Sequence, residues 1–251
     1  MEYDVSKVVL IMLVFLIAGT IKGVVGLGLP PVVLGLLTAV IGIHPAMAMV
    51  ALPAFITNFY QAASGNNAKI LGREYWVFFL SATLFVGVGC WMALSVNHQY
   101  MAVMLGILLT VYAVAGLSNF RLVIQQRWQS ICGAVMGTCN GIFTGLTGSS
   151  AVPGVFYLQS LGLSKEQLIQ AMGILFTFSS AGLSVGLYLQ NQLTFSSSAI
   201  SLVALIPAVF GMCIGALIRK RLSIKAFQTT FYISLLILGL FIVLKNSGIW
   251  S

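Results

Sequence analysis

The sequence predicts an all-α polytopic membrane protein of two inverted repeats, each a re-entrant broken-helix hairpin plus three transmembrane helices. Three observations predict it. Of 251 residues, 59% are hydrophobic and only 6% charged. Soluble domains carry about 25% charged residues, so too few charges remain here to coat a water-facing surface. The apolar residues form long runs divided by short polar loops. Two glycine-dense stretches interrupt those runs at Gly19-Thr-Ile-Lys-Gly23-Val-Val-Gly26-Leu-Gly28-Leu-Pro30-Pro31 and at Gly137-Thr-Cys-Asn-Gly141-Ile-Phe-Thr-Gly145-Leu-Thr-Gly148-Ser149-Ser150. Lipid cannot satisfy an unwound backbone, so such interruptions must be buried in protein or line a polar cavity. A matching pair in two halves of a chain points to a transport site.

In chain order, the runs 46–64, 75–96, 100–117, 168–189, 196–218 and 227–244 approach the length of about 20 residues that a helix needs to span. The runs 31–43, 131–143 and 152–163 are too short, and 8–25 is ambiguous between a span and a hairpin arm. The N-terminus is mixed in charge with no small-residue cleavage site, so the first run is expected to be retained. Lys69 and Arg73, then Arg121 and Arg127, then Arg219, Lys220, Arg221 and Lys225 mark three cytoplasmic loops. The loops around Asn97-His98-Gln99 and Gln190-Asn191-Gln192 carry no Lys or Arg and are external, and His44 falls on the same side. With Arg127 and Lys165 both inside, residues 131–163 must enter and leave on one face, as a hairpin does. The same logic applied to residues 8–43 gives each half an odd number of spans, hence inversion. Counting each hairpin as one kinked span instead would put Arg219–Lys225 outside, against the positive-inside rule.

The halves also match in letters. Gly19-Thr-x-x-Gly23 pairs with Gly137-Thr-x-x-Gly141, which sets Asn140 opposite Lys22. Thr57 pairs with Thr177, and Gly87-x-Gly89 with Gly211-x-x-x-Gly215. Their shared order points to duplication. The expected division is residues 1–119, a linker at 120–129, and 130–251.

The motif Gly23-Val-Val-Gly26-Leu-Gly28-Leu-Pro30-Pro31, the second motif Gly141–Pro153, the two-repeat layout and the length resemble the TauE/SafE sulfite exporter permeases over nearly the whole chain. The resemblance implies transport of sulfite, sulfonates or related anions across a bacterial inner membrane, in the export direction. Leu29-Pro30-Pro31 stands here where the family's first motif often continues into glycine.

The residues themselves point to an anion. Ser149 and Ser150 are placed to cap the half-helix that follows, and Pro31 suits the first turn of its counterpart. Half-helix starts present free N–H groups and partial positive charge. Lys22 is the basic residue placed well inside an apolar run of the first half, and an ionisable group at depth is a functional hypothesis by default. The bland reading is that it snorkels to an interface, which gains if residues 8–25 span. The expected substrate-binding set is Lys22, Gly26, Gly28, Pro31, Thr57, Asn58, Asn140, Gly145, Thr147, Gly148, Ser149, Ser150 and Thr177. For Thr57, Asn58 and Thr177 the alternative is stitching between helices, and for Gly133 to Gly145 close helix packing.

No catalytic or metal residues are expected. Cys90, Cys132, Cys139 and Cys213 lack paired spacing. His44 and His98 are solvated loop residues. The acids Glu2, Asp4, Glu74 and Glu166 sit near run ends, so no buried carboxylate offers a proton relay. No P-loop, zinc motif or nucleophile elbow occurs. The expectation is therefore a permease, not an enzyme, with no cofactor. It uses alternating access at a mid-membrane site between two hairpin tips. Its partners are a small anionic substrate and the lipid bilayer, with no nucleic acid; a homo-oligomer is compatible with the sequence. A permease for a non-sulfur organic anion and a non-transporting membrane scaffold or assembly protein are the alternatives, though a scaffold gives no reason for two buried interruptions.

Overall fold

A chain surrounded by lipid must satisfy its backbone groups locally, and helix is the only regular secondary structure among the described residues. The computed structural model describes residues 4–118, 123–193, 195–219 and 224–247. Glu2, Arg121, Lys220 and Arg221 lie outside them, as does the side chain of Lys225. The helices are α1 (Val5–Val25), α2 (Leu29–Ile41), α3 (Ile43–Ala63), α4 (Ala68–Glu74), α5 (Trp76–Ala93), α6 (His98–Leu117), α7 (Gln129–Thr147), α8 (Gly154–Ser160), α9 (Lys165–Leu189), α10 (Phe195–Arg219) and α11 (Ile224–Asn246).

Seven of them, α1, α3, α5, α6, α9, α10 and α11, are long and apolar enough to cross a membrane. This is a multi-pass membrane protein. The ambiguous first run forms a 21-residue helix, about 31 Å long at 1.5 Å per residue, and so matches a hydrocarbon core of about 30 Å. Helix α7 has 19 residues. Both arms leading into the interruptions are therefore close to membrane length: α7 is not the half-length arm that its apolar run predicted, and the open choice for residues 8–25 falls to the longer form. Their glycines and threonines lower the apolarity of the last turns without ending the helix. The arms that follow are short, 13 residues in α2 and 7 in α8.

The chain folds as two compact units, each drawing on both halves of the sequence. Unit one comprises Met1–Pro53, Asn97–Asn119 and Asn191–Ser251; unit two comprises Ala54–Val96 and Phe120–Gln190. In unit one α1 packs chiefly on α10, and α6 on α11; in unit two α5 packs chiefly on α7 and then on α9.

Glycine makes the two main pairings possible. A Cβ at Gly19 would strike the backbone of Ala208, and one at Gly23 that of Met212 and Gly215. From the other side, a Cβ at Gly211 would strike Leu16 and Thr20. In unit two the same arrangement recurs: Gly137 and Gly141 lie on Phe78, Ala82 and Phe85, while Gly145 and Gly89 lie on each other's helices. Backbones in direct contact gain dispersion energy where lipid supplies no hydrophobic drive.

Pro53 lies inside α3, and a proline there cannot donate to the carbonyl four residues earlier. That carbonyl, of Met49, accepts a hydrogen bond from Ser201 Oγ of α10 at 2.8 Å. Ser201 is 1% exposed, so the hydroxyl replaces the missing N–H in an environment without water.

Ends expected on one face meet. In unit one His44 Nε2 lies 2.7 Å from His98 Nδ1, and His44 Nδ1 lies 2.7 Å from Gln192 Oε1. These join the three segments expected on the external side. In unit two Gln170, in the first turns of α9 near Lys165, donates to Ala62 O and Gly65 O and accepts from the Asn67 N–H. That ties α9 to the end of α3 and to the turn leading into α4, the short helix that carries Lys69 and Arg73 where a loop was expected.

Two outcomes follow for melting temperature in detergent. Gly89→Ala, whose Cβ would meet Ile142 and Gly145, lowers it by several degrees, whereas Gly87→Ala on the same helix, with nothing within 4 Å, leaves it unchanged or raises it. Ser201→Ala costs about 1 kcal/mol, and the loss shrinks in a Pro53→Ala background, where the α3 backbone can satisfy Met49 itself.

Candidate functional site

The first interruption lies in unit one. Helix α1 ends at Gly26, whose φ of 85° is left-handed and whose N–H bonds to Lys22 O. Gly28, at φ 114°, starts α2. Only glycine adopts such angles without a steric cost. Lys22 sits in the last turn of α1 and is 4% exposed. Although α1 is long enough to span, this burial argues against snorkelling, because the side chain is enclosed by protein. The carbonyl-rich helix end offsets part of the cost of holding a cation there.

The expected amide-rich start of α2 does not form. Pro30 and Pro31 occupy its first turn and have no N–H, and the Val32 N–H bonds to Gly28 O. Leu29 supplies the one first-turn N–H that remains. Pro31 shapes the chain and cannot donate to a ligand.

The second interruption lies in unit two. Helix α7 ends at Gly148, with φ 77° and its N–H on Thr144 O. Ser149 and Ser150 are buried, but they do not cap α8: that helix starts at Gly154, with Pro153 before it and no side-chain cap. The non-helical Ala151–Pro153 segment separates the serines from the helix they were expected to cap. The Gly154 N–H is taken instead by Asn140 Oδ1 at 3.0 Å, across the hairpin. Asn140 is fully buried, and its Nδ2 has no hydrogen-bond partner among the described residues.

The remaining predicted residues divide by role. Gly145 is a packing glycine, because any side chain there would strike Val86, Gly89 and Cys90. The hydroxyls of Thr144, Thr147 and Thr177 donate to the carbonyls of Asn140, Phe143 and Gly173, each at 2.7 Å. Thr57 and Asn58, from the first half of the sequence, are buried in unit two. Unit two therefore holds Thr57, Asn58, Asn140, Gly145, Thr147, Gly148, Ser149, Ser150 and Thr177, and unit one holds Lys22, Gly26, Gly28 and Pro31.

Aligned by their helix ends instead of by letters, the two interruptions match one helical turn away from the Gly-Thr pairing. Gly26 and Gly148 are the equivalent helix ends, and Gly23 and Gly145 the equivalent packing glycines, the first against Gly215 and the second against Gly89. In that register Pro31 pairs with Pro153, and Lys22 pairs with Thr144 rather than Asn140. The two registers differ by one turn because glycines four apart look alike after such a shift. Sequence reasoning missed the Asn140–Gly154 bond. The available signal was a lone Asn in an apolar, glycine-rich helix, where its amide must find a partner.

Among the described residues no group of three or more His, Cys, Asp or Glu could hold a metal ion. Because Ser149 and Ser150 do not cap α8, Ser149→Ala and Ser150→Ala leave the melting temperature of anion-free protein unchanged. A lost cap would cost about 0.5–2 kcal/mol and show as a clear fall.

No curated protein and no solved structure matches the chain. A family model described as sulfite exporter TauE/SafE matches residues 11–242 and so takes in both interruptions. The chain belongs to the TauE/SafE sulfite exporter family of multi-pass membrane transporters.

Proposed function

We propose that this transporter is a permease for a small oxyanion, sulfite or an organosulfonate, in a bacterial inner membrane. The observation that carries the reading is Lys22, a basic side chain 4% exposed beside an unwound turn in an apolar chain. An ionisable group enclosed at membrane depth marks a functional site by default. The sulfur in the proposal comes from the family. Within unit one the residues proposed to take the anion are Lys22 and the Gly26–Gly28 turn, and within unit two they are Asn140, Ser149 and Ser150, with Thr57, Asn58 and Thr177 proposed to line the approach there.

Export fits the energetics. A membrane potential that is negative inside drives anions outward by about 2.3 kcal/mol per charge per 100 mV. Among the described residues the carboxylates Asp4, Glu74 and Glu166 lie at helix ends. The reading therefore uses the gradient and the potential rather than an intramembrane acid. Alternating exposure of the anion to the two sides is its mechanistic part, supported by the one interruption that duplication gives each half.

The test is thermal shift in detergent against sulfite, sulfate, sulfoacetate, taurine and thiosulfate, followed by uptake into proteoliposomes. Sulfite or sulfoacetate raises the melting temperature of the unaltered protein, and Lys22→Met removes most of that rise while leaving expression intact. Equal transport by Lys22→Met would overturn the reading, and a response to carboxylates alone would replace sulfur anions with organic acids.

A further inference from the structure

We infer that Asn140 is the residue that makes the second interruption selective for oxygen acceptors, through an amide whose orientation the fold has already chosen. The inference rests on the proposed function and names a specificity determinant within it. Primary amides have two faces, one accepting and one donating, and can present either to a ligand by a half-turn. At Asn140 that freedom is gone. Its Oδ1 accepts the Gly154 N–H at 3.0 Å, so flipping would set NH2 against N–H. The donor face is what remains, and among the described residues Nδ2 has no partner while the residue is fully buried.

Leaving a buried donor unmade is unfavourable, and native structures do so rarely. Three threonine hydroxyls of unit two differ from that amide. The hydrogens of Thr144, Thr147 and Thr177 are committed to carbonyls of their own helices. They can offer lone pairs, which repel an anion. The hydrogens of Asn140 Nδ2 are uncommitted, and they suit a group that only accepts, such as a sulfite or sulfonate oxygen. An ammonium group finds there only the second lone pair of an oxygen that already accepts the Gly154 N–H.

Glycine at position 154 is part of the device. A Cβ there would press on Asn140 Oδ1 and Cγ and on Leu175, so only a residue without a side chain lets the return segment come close enough to hold the amide. Gly154 is a positioning residue, acting through Asn140.

Asn140→Asp is the decisive variant. It keeps an oxygen for the Gly154 N–H and replaces the donor with a second acceptor. The experiment titrates sodium sulfite against the full-length protein in detergent by thermal shift, with sodium chloride at equal ionic strength as the control. A sulfite-dependent rise in the unaltered protein, with affinity falling about tenfold or more in Asn140→Asp, is the expected result. Gly154→Ala, which retains the NH2 but loses its anchor, shows a smaller loss of sulfite affinity. If Asn140→Asp does not yield folded protein, Asn140→Ala reports the same donor loss, with the sulfite-free melting temperature as the folding check. Unchanged sulfite affinity in the folded variant would overturn the role of Asn140 and leave the permease reading standing. No oxyanion response in the unaltered protein would overturn both.

Discussion

The structure depends on helix backbones touching directly. Lipid gives apolar side chains no reason to leave it for one another, so cohesion must come from close contact and satisfied polar groups. Gly19 and Gly23 bring α1 onto α10, and Gly141 and Gly145 bring α7 onto α5. That contact lets α1 and α7 remain helical up to their left-handed glycines, despite sequences that weaken a helix. Without it, the turns before Gly26 and Gly148 would have little to hold them, and the residues around each interruption would lose their positions.

Much of the fold was legible because lipid leaves few alternatives. Long apolar runs became helices, and the external-side ends predicted from missing Lys and Arg meet at His44, His98 and Gln192. Arm length was misjudged for a physical reason. A hydropathy window registers Thr138, Asn140 and Thr144 as polar, while the helix needs only that their polar groups be satisfied, and the Thr144 hydroxyl is satisfied by the helix itself. Packing then extends the helix beyond the point where apolarity fades.

The site was less legible, since its chemistry turns on which donors are already used. From sequence, Pro31 and the serine pair looked like two helix starts offering amides. In the fold the prolines remove N–H groups, Asn140 consumes the Gly154 amide, and the serines stop short of α8. Donor capacity passes from backbone to side chain. Composition cannot show this transfer, because the same letters describe a free amide and a committed one.

Register carries the last step. Once Gly26 is matched to Gly148, the two interruptions share a helix end and a proline but differ in chemistry: Lys22 stands where the other copy has Thr144, and Asn140 where the first has Ala18. The backbone pattern, glycines against a partner helix and a left-handed end, recurs because both copies face the same lipid constraint. Charge and amide do not recur, because nothing in that constraint demands them. Lys22 and Asn140 each stand at one interruption alone, and the cost of burying each is met within its own unit: by the carbonyl-rich end of α1 beside Lys22, and by the Gly154 N–H on Asn140 Oδ1.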